Sequence, residues 1–344
     1  MTTRNPFLSA AALACLLTAS SCSKDLSLTE KNHQVIAGKT QLQVVNYRQE
    51  MRNFIQEISA WAKQQQNGFL IVAQNSSELL TNDGDAAGTV NTAYIKALDG
   101  VGREELYYGY DNSDDKPTPK ADSDEWLAFC KVAASQHLRV LTTDYCFTPG
   151  KVANSYQLNQ KNGFISFAAS HRELDNIPAG APFNENSNNI NTLADARNFL
   201  YLINSGSFGS RTRFLDSLKA TNYDVIVMDA FPESDTVHWD KSLITSLKTK
   251  KNGGKRIVLA YMSMGQAEQY RWYWKAAWVK NPPAWLETMD PYWKGNYYIR
   301  YWMPEWKAFI YGNSASYTQK LIDAGFDGAY LDPVDGSQHW EEKP

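Results

Sequence analysis

At 344 residues, 43% hydrophobic and with a formal net charge of −3, the chain is long enough for one large α/β barrel of roughly 250 residues plus additions. The near-neutral balance gives no electrostatic case for nucleic acid. Four cysteines without a CxxC and five scattered histidines imply no structural zinc, and nothing in the pattern calls for a cofactor.

Residues 1–22 carry the pattern of a secretory signal, with Arg4 as the positive start and a short apolar run from Phe7 to Thr18, too short to span a bilayer. Leu17-Thr18-Ala19-Ser20-Ser21-Cys22 reads as a bacterial lipoprotein box, in which small residues precede a cysteine that is lipidated and becomes the mature N-terminus. An ordinary cleaved signal is the alternative. The expectation is a lipid anchor at Cys22 and a place in the bacterial cell envelope, on the periplasmic side or the outer surface. The polar segment 23–41 reads as a tether, leaving 42–344 as one folded domain.

The domain opens on a helix, Tyr47–Gln66, with Tyr47, Met51, Phe54, Ile55, Ile58 and Trp61 on one face. A strand over Phe69–Gln74 follows and ends in the amide pair Gln74 and Asn75. Next come a short strand at Lys96–Asp99, a polar insertion, and a helix over Asp124–Gln136 with Asp122 or Ser123 as N-cap. A strand at Arg139–Asp144, a helix near Pro149–Gln160 and a strand-like run at Gly163–Ser170 complete the first half. Residues 171–195, rich in Asn, Pro and Gly, read as a bridging loop. Beyond it, strands are expected at Phe199–Asn204, Asp224–Asp229, Arg256–Met262, Tyr297–Trp302 and Gly328–Asp332. Three strands before the bridge and five after it make eight, with Gly163–Ser170 an extra segment at the rim. Short apolar, β-branched runs alternating with helical patterns predict a parallel (β/α) sheet. Cys130, on a helix, and Cys146, just past a strand, leave a disulfide open.

Several motifs carry a family resemblance. Tyr261-Met262-Ser263-Met264-Gly265-Gln266-Ala267-Glu268-Gln269-Tyr270-Arg271-Trp272-Tyr273-Trp274 and the run from Gly325 to Trp340 are similar to the first half of the barrel of glycoside hydrolase family 114, the endo-α-1,4-polygalactosaminidase-like group. Phe69–Asn75 with Glu78-Leu79-Leu80, Asp99–Gly109 and Val140–Tyr145 resemble later strands of that family, yet here they come first. The resemblance therefore implies a single (β/α)8 TIM barrel, circularly permuted and opened between family strands five and six. Domain termini that lie close together make such a permutation physically tolerable.

Carboxylates at the C-terminal ends of parallel barrel strands sit where such folds place their chemistry. Glycosidic hydrolysis needs two carboxyls, one giving a proton and the other acting as base or nucleophile. Asp229, Glu268 and Asp332 are the catalytic candidates. Asp335 lies beside Asp332, where like charge raises one of the two pKa values, and Asp99 and Asp144 stand behind them. Gln74, Asn75, Asp99, Tyr110, Tyr261, Tyr270, Arg271, Arg300, Trp302 and Asp335 are the substrate-binding candidates, with Arg271 and Arg300 able to pair with the carboxylates. The family's usual glutamate two residues before Glu268 is Gln266 here, which puts any scheme needing that carboxylate in doubt. The resulting expectation is a secreted, lipid-anchored, monomeric endo-acting hydrolase of an amino-sugar polysaccharide. The alternative is a carbohydrate-binding envelope lipoprotein without catalysis.

Overall fold

The structure is a computed structural model, and it describes residues 45–231 and 238–343. The signal, lipobox and tether expectations, Cys22 included, lie outside the described residues.

Eight parallel strands form one sheet: β1 Leu70–Gln74, β2 Gly100–Glu104, β3 Arg139–Tyr145, β4 Ile165–Ala169, β5 Phe199–Leu202, β6 Val225–Asp229, β7 Ile257–Ser263 and β11 Gly328–Asp332. Their spatial order is β4-β3-β2-β1-β11-β7-β6-β5. The first strand thus lies beside the last, with Leu70 opposite Gly328 and Ala73 opposite Leu331. Across the remaining seam, the Phe167 ring of β4 packs 6.0 Å from the Phe199 ring of β5. The result is a nearly closed (β/α)8 barrel. Its strands are almost wholly buried, as continuous Val/Ile/Leu runs in parallel sheets should be.

The sequence reading reaches the right number of strands with one wrong member. Gly163–Ser170 is a true barrel stave, β4, not a rim segment. Tyr297–Trp302 is not a stave. Residues Asn296–Ile299 (β10) join Gln266–Glu268 (β8) and Leu286–Met289 (β9) in a three-stranded antiparallel sheet that grows out of the β7 loop. The barrel is therefore split into four strands on each side of the bridge. The second strand is also displaced: Lys96 and Ala97 end the helix α2 Thr92–Ala97, and the strand proper is Gly100–Glu104.

Helix α1, Tyr47–Gln65, buries Met51, Phe54, Ile55 and Ile58. Helix α3 spans Lys120–Ser135 with Pro119, not Asp122 or Ser123, at its N-cap. Helix α4 spans Pro149–Lys161. The bridge is loop, and it is tied to the barrel's lower rim where Asn186 bonds both Asp224 and Lys250. Cys130 and Cys146 are buried free thiols. The described ends of the domain pack together: Arg48 pairs with Glu341 at 2.8 Å, and the Tyr47 and Trp340 rings lie 6.1 Å apart. Among the described residues, no helix is long and apolar enough to cross a membrane.

Candidate active site

Three adjacent strands, β6, β7 and β11, bring two of the expected carboxylates to one end of the barrel. Asp229 ends β6 opposite Tyr261 of β7, and Tyr261 lies opposite Tyr330 of β11, two residues before Asp332. The Tyr261 hydroxyl donates to Asp332 Oδ2 at 2.9 Å. Gly265 lets the β7 and β11 loops meet, because a Cβ there would stand 1.9 Å from the Pro333 carbonyl oxygen.

A carboxylate outside the expected set completes the centre. Glu104 ends β2, and its side chain accepts from Gln74 Nε2 at 2.8 Å, from Asn75 Nδ2 at 3.0 Å and from the Tyr145 hydroxyl. The same Gln74 nitrogen lies 3.2 Å from Asp332 Oδ1, so these Glu104 and Asp332 oxygens are no more than about 6 Å apart, the sum of its two distances. Asn75 also accepts the Glu104 backbone N–H through its side-chain oxygen. Backbone strain gathers at this point: Asn75 (φ 60°), Ser76 (φ 47°) and Glu105 (φ 59°) are all left-handed. Beneath the pair, a Cβ at Gly102 would stand 2.0 Å from the Tyr330 hydroxyl, so only glycine fits.

Burial pushes the Asp332 carboxyl well above the usual carboxylate range, and the neighbouring charges of Glu104 and Asp335 push it the same way. Asp335 is pushed up to about 6 by burial, Glu104 and Glu78, against the pull of Arg103. Asp229 is also raised by burial, opposed by Arg271.

Arg271 organises a second cluster beside the first. Its guanidinium grips Asp229 with two bonds of 2.9 and 2.6 Å, and its Nε donates to Glu268. The Tyr270 hydroxyl donates to Glu268 at 2.8 Å. Glu268 sits in β8, so the excursion sheet rather than a stave positions it. The one arginine pairs with both carboxylates of this cluster; the Glu104–Asp332 pair is held by two amides and two tyrosines.

Several expected residues lie elsewhere. Asp99 precedes β2 at the opposite rim, accepting the Ile71 N–H at 2.8 Å and pairing with Lys63 at 3.0 Å. Asp144 turns outward to Ser155 and the backbone of Tyr107 and Tyr108. Arg300 pairs with Glu287, not with a strand-end carboxylate. Trp302 packs against Tyr47 and Trp340 at 5.2 and 5.0 Å. Tyr110 packs on Trp126 of α3, outside the cluster. Gln266 is buried, donating to Asp290 at 2.6 Å and accepting from Asn296 at 3.1 Å. A glutamate there would face Asp290, so the amide suits its surroundings.

Sequence reasoning missed Glu104, Tyr145 and Arg172. The Arg172 guanidinium, from the bridge, lies 4.0 Å from the centre of the Tyr145 ring and pairs with Glu105 at 2.6 Å. The signal was present in Gly102-Arg103-Glu104-Glu105, but placing the strand at Lys96–Asp99 made Asp99 the strand-end acid. A cavity of about 700 Å³ between the bridge and the helix after β5, walled by Ile177, Pro182, Phe208 and Tyr223, shares no residue with either cluster.

Comparison with known proteins identifies residues 185–343 as a match to the model of glycoside-hydrolase family GH114. Three uncharacterized proteins are similar to the chain. One from Methanocaldococcus jannaschii is 36% identical over 183 residues, 52% of this chain and 49% of that protein. One from Thermotoga maritima is 45% identical over 87 residues, 25% of this chain and 26% of the relative. One from Deinococcus radiodurans is 34% identical over 130 residues, 38% of this chain and 39% of the relative. The chain thus spans about half or less of the curated relatives it matches.

Proposed function

We propose that the protein, whose residues 185–343 match the model of glycoside-hydrolase family GH114, is an endo-acting glycoside hydrolase whose working pair is Glu104 and Asp332. The observation that carries this is Gln74, whose single amide nitrogen holds an oxygen of each carboxyl no more than about 6 Å apart at the strand ends. That spacing is nearer the ~5–5.5 Å of retaining enzymes than the ~6.5–9.5 Å that leaves room for a water in inverting ones. The two carboxyls divide the roles of acid and nucleophile, and burial favours the protonated form of Asp332. A covalent glycosyl-enzyme intermediate and a product of retained configuration follow. Asp229, Arg271 and Glu268 form the wall beside the pair, with Tyr261 and Tyr270 shaping it.

The substrate in this reading is an amino-sugar polysaccharide, supported by the family motifs and by a mouth rich in carboxylates, which suits a cationic sugar. The Leu17–Cys22 pattern supports lipid anchoring at Cys22 in a bacterial envelope. A circular permutation is supported by two facts. The family match covers only β5, β6, β7 and β11 of the eight staves, and β1 pairs beside β11 to continue the barrel. In this reading, staves split four and four put the opening between family strands four and five rather than five and six.

The test is turnover of a soluble galactosamine polymer by wild type, Glu104→Gln and Asp332→Asn, with the product anomer read by NMR. Loss of cleavage in both variants with folding intact supports the pair. Equal turnover in all three would sink it, and tight glycan binding without wild-type turnover would favour the non-catalytic lipoprotein reading.

A further inference from the structure

The excursion sheet carries two large aromatic rings that the barrel does not use. Tyr292 and Trp293, in the turn between β9 and β10, are 81% and 56% exposed. The turn beneath them is tightly built. Buried Asp290 accepts the backbone N–H groups of Tyr292 (2.8 Å) and Trp293 (3.4 Å) with one oxygen, and Gln266 Nε2 with the other. Burying a carboxylate to fix a turn whose rings point away from the core does little for the core itself. It does preorganise the rings, which lowers the entropy lost when a ligand settles on them.

The turn is also continuous with the barrel mouth. The Trp293 carbonyl accepts the Asn296 N–H at 3.0 Å. Asn296 lies opposite Glu268 across the β8–β10 ladder, and its side-chain oxygen lies 3.3 Å from the Tyr270 hydroxyl. Two aromatic faces therefore stand one hydrogen-bonded step beyond the Arg271 cluster.

We propose that Tyr292 and Trp293 form a distal platform on which an extended polysaccharide chain stacks its apolar sugar faces while another part of that chain lies in the barrel mouth. A chain ligand is favoured because the platform is small, is flanked by the polar Lys294 and Gln269, and shares one sheet with the site. The platform gives preference for long chains over short ones. This deepens the hydrolase reading and rests on it only for the choice of ligand.

The test uses the whole chain and three probes: a soluble galactosamine polymer, its trisaccharide and anionic phospholipid vesicles. Binding is followed by retardation in polymer-containing gels on the Asp332→Asn background, and KM is measured on the active background. Trp293→Ala with Tyr292→Ala is expected to weaken polymer binding and raise the polymer KM about ten-fold, with two ring contacts at stake. The trisaccharide KM and kcat stay unchanged, and Trp293→Phe restores polymer binding. Unchanged polymer binding in the double variant overturns the platform, as does loss of the trisaccharide and polymer activities in parallel. Loss of anionic-vesicle binding with polymer binding intact assigns the rings to a membrane and also overturns it. If the wild type shows no turnover but the retardation still depends on Trp293, the platform stands and the hydrolase reading falls.

Discussion

Acidic residues occupy both rims of this barrel, and the two rims treat them in opposite ways. At the N-terminal rim, Asp99, Asp224 and Asp327 each pair with a lysine, Lys63, Lys250 and Lys248, at 3.0, 2.8 and 2.6 Å. Each also accepts a backbone N–H, from Ile71, Arg197 and Val258 respectively. At the C-terminal rim, Glu104, Asp332 and Asp335 gather with Gln74, Asn75, Tyr145 and Tyr261, and no lysine joins Glu104 or Asp332 among the described ion pairs. Matched charge holds strands in register, whereas burial without a paired cation pushes the Asp332 and Asp335 carboxyls toward their protonated form. Asp229 and Glu268 are intermediate, at the same rim as Glu104 but both paired with one arginine.

The sharpest way to break this contrast is to change the unmatched pair. In the proposed reading Glu104→Gln or Asp332→Asn should lower kcat on the polymer by about 10³-fold or more, since each would remove a group that transfers a proton or bonds to the sugar. The thermal midpoint should hold or rise in Asp332→Asn, because a buried carboxyl is replaced by an amide. A variant that keeps most of its activity would move the chemistry to Asp229 and Glu268. At the other rim the effect should be reversed. Lys250→Met strands a fully buried Asp224 carboxylate, so denaturant melts should show a loss of about 3–5 kcal/mol. Activity per folded molecule should be unchanged. A mild effect on stability would mean that the Asn186, Arg197 and Asp224 contacts suffice without the cation.

How far the sequence exposed this arrangement depends on how each strand is written. Strands β6, β7 and β11 read plainly, because VIVMD, IVLAYMS and GAYLD are apolar runs ending in a polar residue. Their candidate residues Asp229, Tyr261 and Asp332 lie on the strands expected for them. Strand β2 is GVGRE, with two glycines and two charges in five residues. It has no β-branched run because Gly102 must clear the Tyr330 hydroxyl, so propensity placed the strand one element early and chose Asp99 over Glu104. Arg300 and Trp302 were misplaced for another reason. An antiparallel excursion and a parallel stave share the same alternation over four residues, and only pairing tells them apart. The partners of Arg271 were legible as chemistry, though not as geometry, since Asp229 is far away in sequence.

Asp335 tests the unmatched rim through pH. Its folded pKa of about 6 lies above the ~3.9 of an unfolded chain. Between those values the native state binds the extra proton, so this residue's contribution to stability is full below about pH 4 and is lost as pH rises through 6. Asp335→Asn should therefore gain stability over the wild type near pH 8 and not near pH 4. With partial solvent access, a difference on the order of 1 kcal/mol is expected. Asp332 shifts in the same direction, so some slope should persist in the variant. Equal stability differences at both pH values would show that Asp335 is not charged against Glu104 and Glu78.

The smallest expected effect belongs to Asp99, and it separates the rims most cleanly. Asp99→Asn keeps an oxygen for the Ile71 N–H and gives up only a half-exposed pairing with Lys63. Such pairs are worth ~0–1 kcal/mol, so the melt should shift little and kcat and KM on the polymer should match the wild type. Five residues away, the isosteric Glu104→Gln should abolish turnover while leaving the melt in place. If Asp99→Asn lost activity at full stability, the N-terminal rim would have a part in the chemistry, and charge matching would no longer distinguish a structural acid from a working one.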